Sequence, residues 1–379
     1  MPAHDIELTP VKSDKIIVAY LVRPAEGGIK SHVLTLMNGL DRSRFEPVLI
    51  CPPDCSLFEE AERAGHRVIP LDIIGEVRPT QDLLTALRFW RILRKLRPGI
   101  LHIHSAKAGL IGRLAVALMR RRPRVILTFH SFVFDERMKP RRRRLVSRVE
   151  RRLQKYADRI VAVSEALRNE LVSEMGLDPD KIQVIYNGVS FRDVPKPKRI
   201  GNRVGTVARL APQKGVEHFI EAAALVKKRF PAAKFTIIGD GPFRFWLETR
   251  AKQLGIEESV EFLGFRGDAL SIVAGFDVFA LTSMRETFGL ALVEAMSQEV
   301  PVVASNVGGI PEIVDGTSTG LLAEPGNAED IAEKICRLLE DKKLAGEIAR
   351  RGREFVRSMF TDERMIAEVQ NLYQTMVNG

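Results

Sequence analysis

The stretch DVFALTSMRETFGLALVEAMSQEVPVVAS, residues 277–305, holds one complete strand–loop–helix–strand unit. DVFALT (277–282) and PVVAS (301–305) are short runs that are apolar on both faces. Between them a polar loop leads into a helical pattern that starts near Gly289. Strands apolar on both sides belong in a parallel sheet whose two faces are covered by helices.

The same rhythm extends outward in both directions. Toward the N-terminus it reads KIIVAYLV (15–22), PVLIC (47–51), RVIPL (67–71), ILHIH (100–104), RVILTFH (124–130), RIVAVS (159–164) and IQVIYN (182–187). Around the opening stretch lie RVGTVARL (203–210), KFTIIG (234–239), SVEFLG (259–264) and TGLLA (319–323). Residues 188–201, GVSFRDVPKPKRIG, lose all periodicity and read as a linker. A chain of 379 residues exceeds one ordinary core, so the pattern predicts two Rossmann-like, doubly wound α/β domains, 1–192 and 199–359.

Composition narrows the class. The chain is 45% hydrophobic and 28% charged, the balance of a globular protein. No apolar run reaches the roughly 18 residues that a membrane span needs, and the start MPAHDIELTPVKSDK lacks the apolar segment of a secretory signal. Cys51, Cys55 and Cys336 are too sparse for a disulfide framework or a zinc site, which fits a reducing, cytoplasmic setting. The net charge of +10 is uneven: residues 1–192 hold 34 basic and 22 acidic residues, and the remainder 24 and 26. Within 120–159 alone there are 15 basic and 4 acidic residues, a block that calls for an acidic partner.

The chemistry concentrates in the loops after strands. Glu286 lies in the loop of the opening stretch and Glu294 on the second turn of its helix. The amides of Phe288, Gly289 and Leu290 point out of the helix start, where phosphate is favoured, and a carboxylate such as Glu294 suits a vicinal diol. An ordinary strand–helix loop with a dipole-favoured acid is the plainer reading. Arg209 and Lys214 follow the first strand of the second domain, where open α/β sheets bind ligands and two cations can hold a pyrophosphate. Taken alone they read equally as surface cations. Gly27 and Gly28 open the first helix and permit close backbone approach. His130 ends a strand at the same end of its sheet, while His102 and His104 share a strand face; each also reads as a structural histidine.

In combination these residues resemble the family-4 retaining glycosyltransferases of the GT-B fold. The family's E-x7-E appears as Glu286 and Glu294 in ETFGLALVEAM, and its GRL-x3-KG as ARLAPQKG, with Ala208 in place of Gly. Its GG loop appears as EGGIKSHV, and its IPNGVD as IYNGVS. IIGDGP (237–242), FLGFRGD (262–268), SNVGGIPEIV (305–314) and GLLAEPGN (320–327) follow in family order. The resemblance implies two domains facing a central cleft, a final helix over 360–379 returning to the first domain, and a nucleoside-diphosphate sugar as donor. It places Glu294 on the ribose, Glu286 on the donor sugar, and the Phe288–Leu290 amides, Arg209 and Lys214 on the diphosphate. Gly28 faces that diphosphate, His130 lies beside the sugar, and Arg266 lines the base pocket.

No metal or cofactor is expected where side chains supply the cations; the one D-x-D, Asp178-Pro179-Asp180, reads as turn chemistry. The acceptor is expected to be a sugar or lipid-linked saccharide of envelope or exopolysaccharide synthesis. In KPRRRRLVSRVERRLQKY (139–156), Leu145, Val149, Leu153 and Tyr156 share one helical face among arginines. That pattern predicts peripheral docking at an anionic membrane, at the inner face of the cell membrane, with a solvated basic face as the plainer reading. Nucleic acid is disfavoured, since no recognition motif accompanies the charge. The competing functions are an epimerase acting at C2 of UDP-sugars and a non-catalytic basic protein on the same scaffold.

Overall fold

The computed structural model describes residues 15–25, 27–134, 138–192, 194–195 and 201–378. The opening segment 1–14 and, within the expected linker, 193 and 196–200 lie outside these residues. The chain divides into two compact units, residues 1–186 with 365–379, and residues 187–364.

The first unit is built from β1 (Ile16–Val22), α1 (Gly28–Gly39), β2 (Phe45–Cys51), α2 (Ser56–Arg63), β3 (Arg67–Pro70), α3 (Pro79–Leu96), β4 (Ile100–His104) and α4 (Ala106–Ala117). It continues through β5 (Arg124–Phe129), α5 (Pro140–Leu153), β6 (Arg159–Ala162), α6 (Glu165–Ser173) and β7 (Ile182–Val184). All seven strands run parallel in the order β3-β2-β1-β4-β5-β6-β7. Every residue of β4 is buried, as a strand covered on both faces requires.

The second unit contains β8 (Arg203–Val207), α7 (Val216–Arg229), β9 (Lys234–Ile238), α8 (Arg244–Gln253), β10 (Val260–Gly264), α9 (Ala269–Val273), β11 (Val278–Leu281) and α10 (Leu290–Ser297). After them come β12 (Val302–Ser305), β13 (Leu321–Ala323), α11 (Ala328–Glu340) and α12 (Lys342–Met359), and the last helix, α13 (Asp362–Asn378), belongs from Met365 onward to the first unit. Its sheet, also parallel throughout, has the order β10-β9-β8-β11-β12-β13. Gly188 is held to glycine by packing: a Cβ there would sit 2.5 Å from the Thr361 carbonyl oxygen.

The thirteen runs read from sequence are the thirteen strands among the described residues. In each sheet the first strand lies where the strand order reverses, between β2 and β4 and between β9 and β11. Such switch points open a crevice beyond the strands' carboxyl ends, where ligands of doubly wound folds bind. From α13, Met365, Val369, Leu372, Tyr373 and Met376 join the core of the first unit. Tyr373 donates to the Tyr20 hydroxyl at 3.0 Å and bonds His102 Nδ1 at 2.6 Å, tying that helix to β1 and β4. The three cysteines are buried and free, with Cys51 and Cys55 4.0 Å apart.

The inward face of α5 is made by Ser147 and Glu150, while Leu145 of the proposed apolar stripe is 56% exposed and Val149 and Leu153 are half-buried. The reason is an ion pair. Arg113 of α4 is fully buried, and its guanidinium needs the Glu150 carboxylate at 2.7 Å as counter-charge. Breaking a buried pair on one side costs about 3–5 kcal/mol, because the other charge stays buried. We therefore expect Glu150→Ala to lose about that much in urea unfolding, and the double variant Arg113→Leu/Glu150→Leu to recover most of it. Equal stability of Glu150→Ala and the native chain would contradict this role.

Candidate active site at the carboxyl ends of the two sheets

In the second unit, β8 ends at Val207 and the chain turns through Ala208–Gly215 into α7. Gly215 closes this turn at φ +55°, and a Cβ there would lie 2.2 Å from the Thr282 carbonyl oxygen. The close approach has a purpose. The Thr282 hydroxyl donates to the Gly215 carbonyl at 2.9 Å, and the amides of Met284 and Arg285 donate to the Gln213 carbonyl at 3.0 and 3.2 Å. These bonds fasten the loop after β8 to the loop after β11.

The fastening brings Lys214 to Glu286. The ammonium donates to Glu286 Oε2 at 2.6 Å, and the Ser283 hydroxyl donates to the same oxygen at 3.2 Å. The carboxylate is largely buried, with its side chain 11% exposed against 26% for Lys214. Arg209 lies on the same loop, exposed and making no ion pair among the described residues. Gly289 takes φ +105° at the start of α10, and a Cβ there would lie 3.7 Å from Glu286 Cγ. The side chain of Glu286 thus lies alongside the start of α10.

Glu294 is on the second turn of α10. Its pKa is raised to about 7, first by desolvation and then by the charge of Asp362, whose own carboxyl is raised to about 6 mainly by burial. The Glu294 side chain nevertheless touches solvent. Its exposed side chain leaves the carboxylate open to a ligand. Arg266 is placed differently. It follows β10 at the sheet edge, two strands from β8, and donates twice to Asp268, at 2.8 and 2.7 Å. No contact joins it to Lys214, Glu286 or Glu294. Asp178 of the D-x-D accepts from the Asp180 amide at 3.1 Å, a local turn at the amino end of β7.

The switch point of the first unit carries a group of histidines. Gly27, at φ +60°, and Gly28 lead into α1, whose His32 faces inward. His104 ends β4 and His130 follows β5, and the two share a hydrogen bond of 3.0 Å between Nδ1 and Nε2. His32 packs edge-on against His130 with centroids 4.6 Å apart. Buried His104 Nε2 has no hydrogen-bond partner. An orphan lone pair costs less than an orphan N–H, so the favoured tautomer donates from His104 Nδ1 and makes His130 Nε2 the acceptor. Directly after His104, Ser105 adopts φ +84°, an uncommon conformation for a residue with a side chain. One ring nitrogen from each of His32, His104 and His130 lies within 4.8 Å of the others, the only such metal-ligand spacing among the described residues. Sequence reading singled out His130 alone as a site residue. His104 was legible only as a partner on a strand face, and His32 was quoted in EGGIKSHV without a role.

Two parallel Rossmann-like sheets, each with polar groups gathered beyond its carboxyl end, are the architecture of the GT-B glycosyltransferases. Residues 26–193 match the model for Glycosyltransferase Family 4, and residues 191–355 the model for Glycosyl transferases group 1. The chain belongs to glycosyltransferase family 4. It is 27% identical to an Escherichia coli UDP-Gal:alpha-D-GlcNAc-diphosphoundecaprenol alpha-1,3-galactosyltransferase, over 96% of this chain and 98% of that protein. It is 28% identical to the N-acetyl-alpha-D-glucosaminyl L-malate synthase of Bacillus anthracis, over 78% and 79%. The crystal structure of Anabaena Alr3699/HepE in complex with UDP has the same fold, with TM-score 0.81, 23% identity, and coverage of 95% of this chain and all of that one.

The pKa values of His102, His104 and His130 are held well below the ordinary value of about 6.5, chiefly by desolvation and then by neighbouring histidines, His32 acting on both His102 and His130. The rings are therefore neutral in the folded protein, while the unfolded chain binds protons as pH falls. Stability that is full above about pH 6.5 is expected to decline below it, because the unfolded state takes up protons that the folded one refuses. Ring-nitrogen NMR of the native protein should show His104 uncharged at pH 6, and His104→Phe should flatten the acid limb of stability against pH. A His104 ring titrating normally would contradict the arrangement.

Proposed function

We propose that this chain transfers a sugar from a nucleoside diphosphate to a lipid-linked or polysaccharide-precursor acceptor, with retention at the anomeric carbon and without a metal or other cofactor. It works as a cytoplasmic enzyme, peripheral at the inner face of the membrane. The observation that carries this reading is the fastening of Lys214 onto Glu286 at the second unit's switch point, with Arg209 exposed on the same loop. As the bond from C1 to the diphosphate breaks, negative charge grows on the departing oxygen. Arg209, Lys214 and the amides of Phe288–Leu290 meet that charge as donors already in place, each worth roughly 3–4 kcal/mol. Gly27 and Gly28 leave room for the diphosphate, and Glu294 accepts from the ribose hydroxyls. Glu286 takes the donor sugar's hydroxyls, with His130 beside the sugar. The acceptor hydroxyl then attacks on the face the diphosphate leaves and gives its proton to the departing diphosphate oxygen, which preserves the configuration. Arg266, engaged by Asp268, borders the base pocket only if that pair opens.

The donor class is supported by the UDP-Gal in the name of the Escherichia coli relative, and the lipid-linked acceptor by its diphosphoundecaprenol. A soluble hydroxy-acid acceptor is the competing reading, since the name of the Bacillus anthracis relative gives N-acetyl-alpha-D-glucosaminyl L-malate as its product. Helix α5 favours the membrane. It exposes Arg141, Arg142, Arg144 and Arg148 around the exposed Leu145, the composition of a helix that rests on an anionic surface. No helix of the described residues is long and apolar enough to cross a membrane.

Lys214→Ala and Arg209→Ala are each expected to cut kcat by roughly 10²–10³ while the melting temperature holds. Turnover should persist in excess EDTA. Loss of activity restored by Mn²⁺, Mg²⁺ or Zn²⁺ would overturn the metal-free account, and would point to the histidine group if Zn²⁺ alone sufficed.

Glu294 must be ionised to accept both ribose hydrogen bonds, so binding draws its raised pKa down and releases a proton. Nucleoside affinity is therefore expected to rise with pH up to about 7 and level off above it. Calorimetry with the uncharged nucleoside removes the titration of phosphate from the comparison. Glu294→Gln should bind more weakly and lose the pH dependence, whereas Glu286→Ala should bind normally and fail in transfer.

A further inference from the structure

The opposite end of the first sheet carries a basic groove. The turn from α3 into β4 and the turn from α4 into β5 are neighbours because β4 and β5 pair. Between them lies an open cavity of about 770 Å³, within the size range of small-ligand sites. Five arginines line it, Arg94, Arg97, Arg120, Arg121 and Arg122, and no acidic residue does. Of these only Arg122 is committed to a carboxylate, that of Asp158 at 3.0 Å. The other four are exposed, and Arg97 is set by a left-handed turn at φ +49°.

The floor is not that of a site for a bare anion. The Arg94 guanidinium lies over the Trp90 ring, 4.8 Å from its centroid. Beside it Leu118 is 52% exposed and Met119 half-buried. Guanidinium forks suit phosphate oxygens, and an apolar floor suits the carbon skeleton attached to them. The groove is continuous with the basic block that begins at Arg120. It also stands a full strand length from His104 and His130, so it is separate from the catalytic end.

We propose that this groove holds the headgroup of an anionic phospholipid. The phosphate rests on the arginines, and the glycerol and first acyl carbons rest on Leu118, Met119 and Trp90. This rests on the reading above that the first unit meets an anionic membrane, and adds a lipid-binding pocket distinct from helix α5.

Trp90 provides the test, since the chain has only one other tryptophan, Trp246. In a Trp246→Phe background, dihexanoyl-phosphatidylglycerol below its micelle threshold should shift Trp90 emission. Vesicles of phosphatidylcholine with phosphatidylglycerol should float the protein, and pure phosphatidylcholine vesicles should not. Arg120→Glu/Arg121→Glu, both at exposed positions, should abolish the emission shift and weaken flotation roughly tenfold or more. Arg120→Lys/Arg121→Lys should retain most of both, and melting curves confirm that each variant folds. Arg141→Ser/Arg144→Ser on α5 should weaken flotation and leave the Trp90 response intact. The groove assignment falls if the Glu variant behaves as the native chain does. It falls equally if inorganic pyrophosphate or a short oligonucleotide elicits the Trp90 response and the lipid does not. Flotation with no Trp90 response overturns the groove alone; a Trp90 response with no flotation overturns membrane docking and leaves the groove standing.

Discussion

The arrangement at the carboxyl end of the second sheet depends on one clasp between two loops. Lys214 and Glu286 are 72 residues apart and meet because Thr282, Met284 and Arg285 bond the backbone of the turn that Gly215 closes. A lone ammonium on a four-carbon stem sweeps a wide volume and loses much entropy when it is fixed on a ligand. Here its position is set before any ligand arrives. Preorganised donors are worth more than flexible ones because they need no rearrangement as charge develops. Glu286 has two tasks in consequence: it holds the cation, and it keeps an acceptor beside the start of α10.

The first unit reaches a comparable rigidity by different means. Three of its histidines are neutral because burial makes the charged form costly, and they pack against one another and against the Tyr20–Tyr373 pair. A neutral imidazole at the end of β5 can share hydrogen bonds without adding positive charge to its surroundings. Arg113 is neutralised inside by Glu150, and two groups of exposed arginines stand on α5 and around the groove beneath β4 and β5. Buried charge is paired and unpaired charge is kept in water, as desolvation costs demand.

Much of this was written in the chain. The thirteen apolar runs gave thirteen strands because a doubly wound sheet buries both faces, and that leaves a continuous hydrophobic signal. The ordered motifs marked Glu286, Glu294, Arg209, Lys214, Gly28 and His130, and each of them falls at or near the carboxyl end of a sheet. That outcome follows from connectivity: a loop after a strand and before a covering helix has to lie at that end. Family membership was legible for the same reason, since the spacing of loop residues is fixed by the elements between them.

Only the tertiary structure decided which side chains meet. Sequence spacing put Leu145, Val149 and Leu153 on one face of α5, but that the demand of Arg113 for a counter-charge turns Glu150 inward and leaves Leu145 in solvent depends on a partner in another helix. The joining of His32, His104 and His130 depends on α1, β4 and β5 sharing one switch point, a relation that strand order sets and local pattern does not. The groove beneath β4 and β5 likewise unites Trp90 and Arg94 with Arg120–Arg122 through strand pairing. Periodicity records what each segment buries; which segments become neighbours is settled by the pairing of strands and the neutralisation of buried charge.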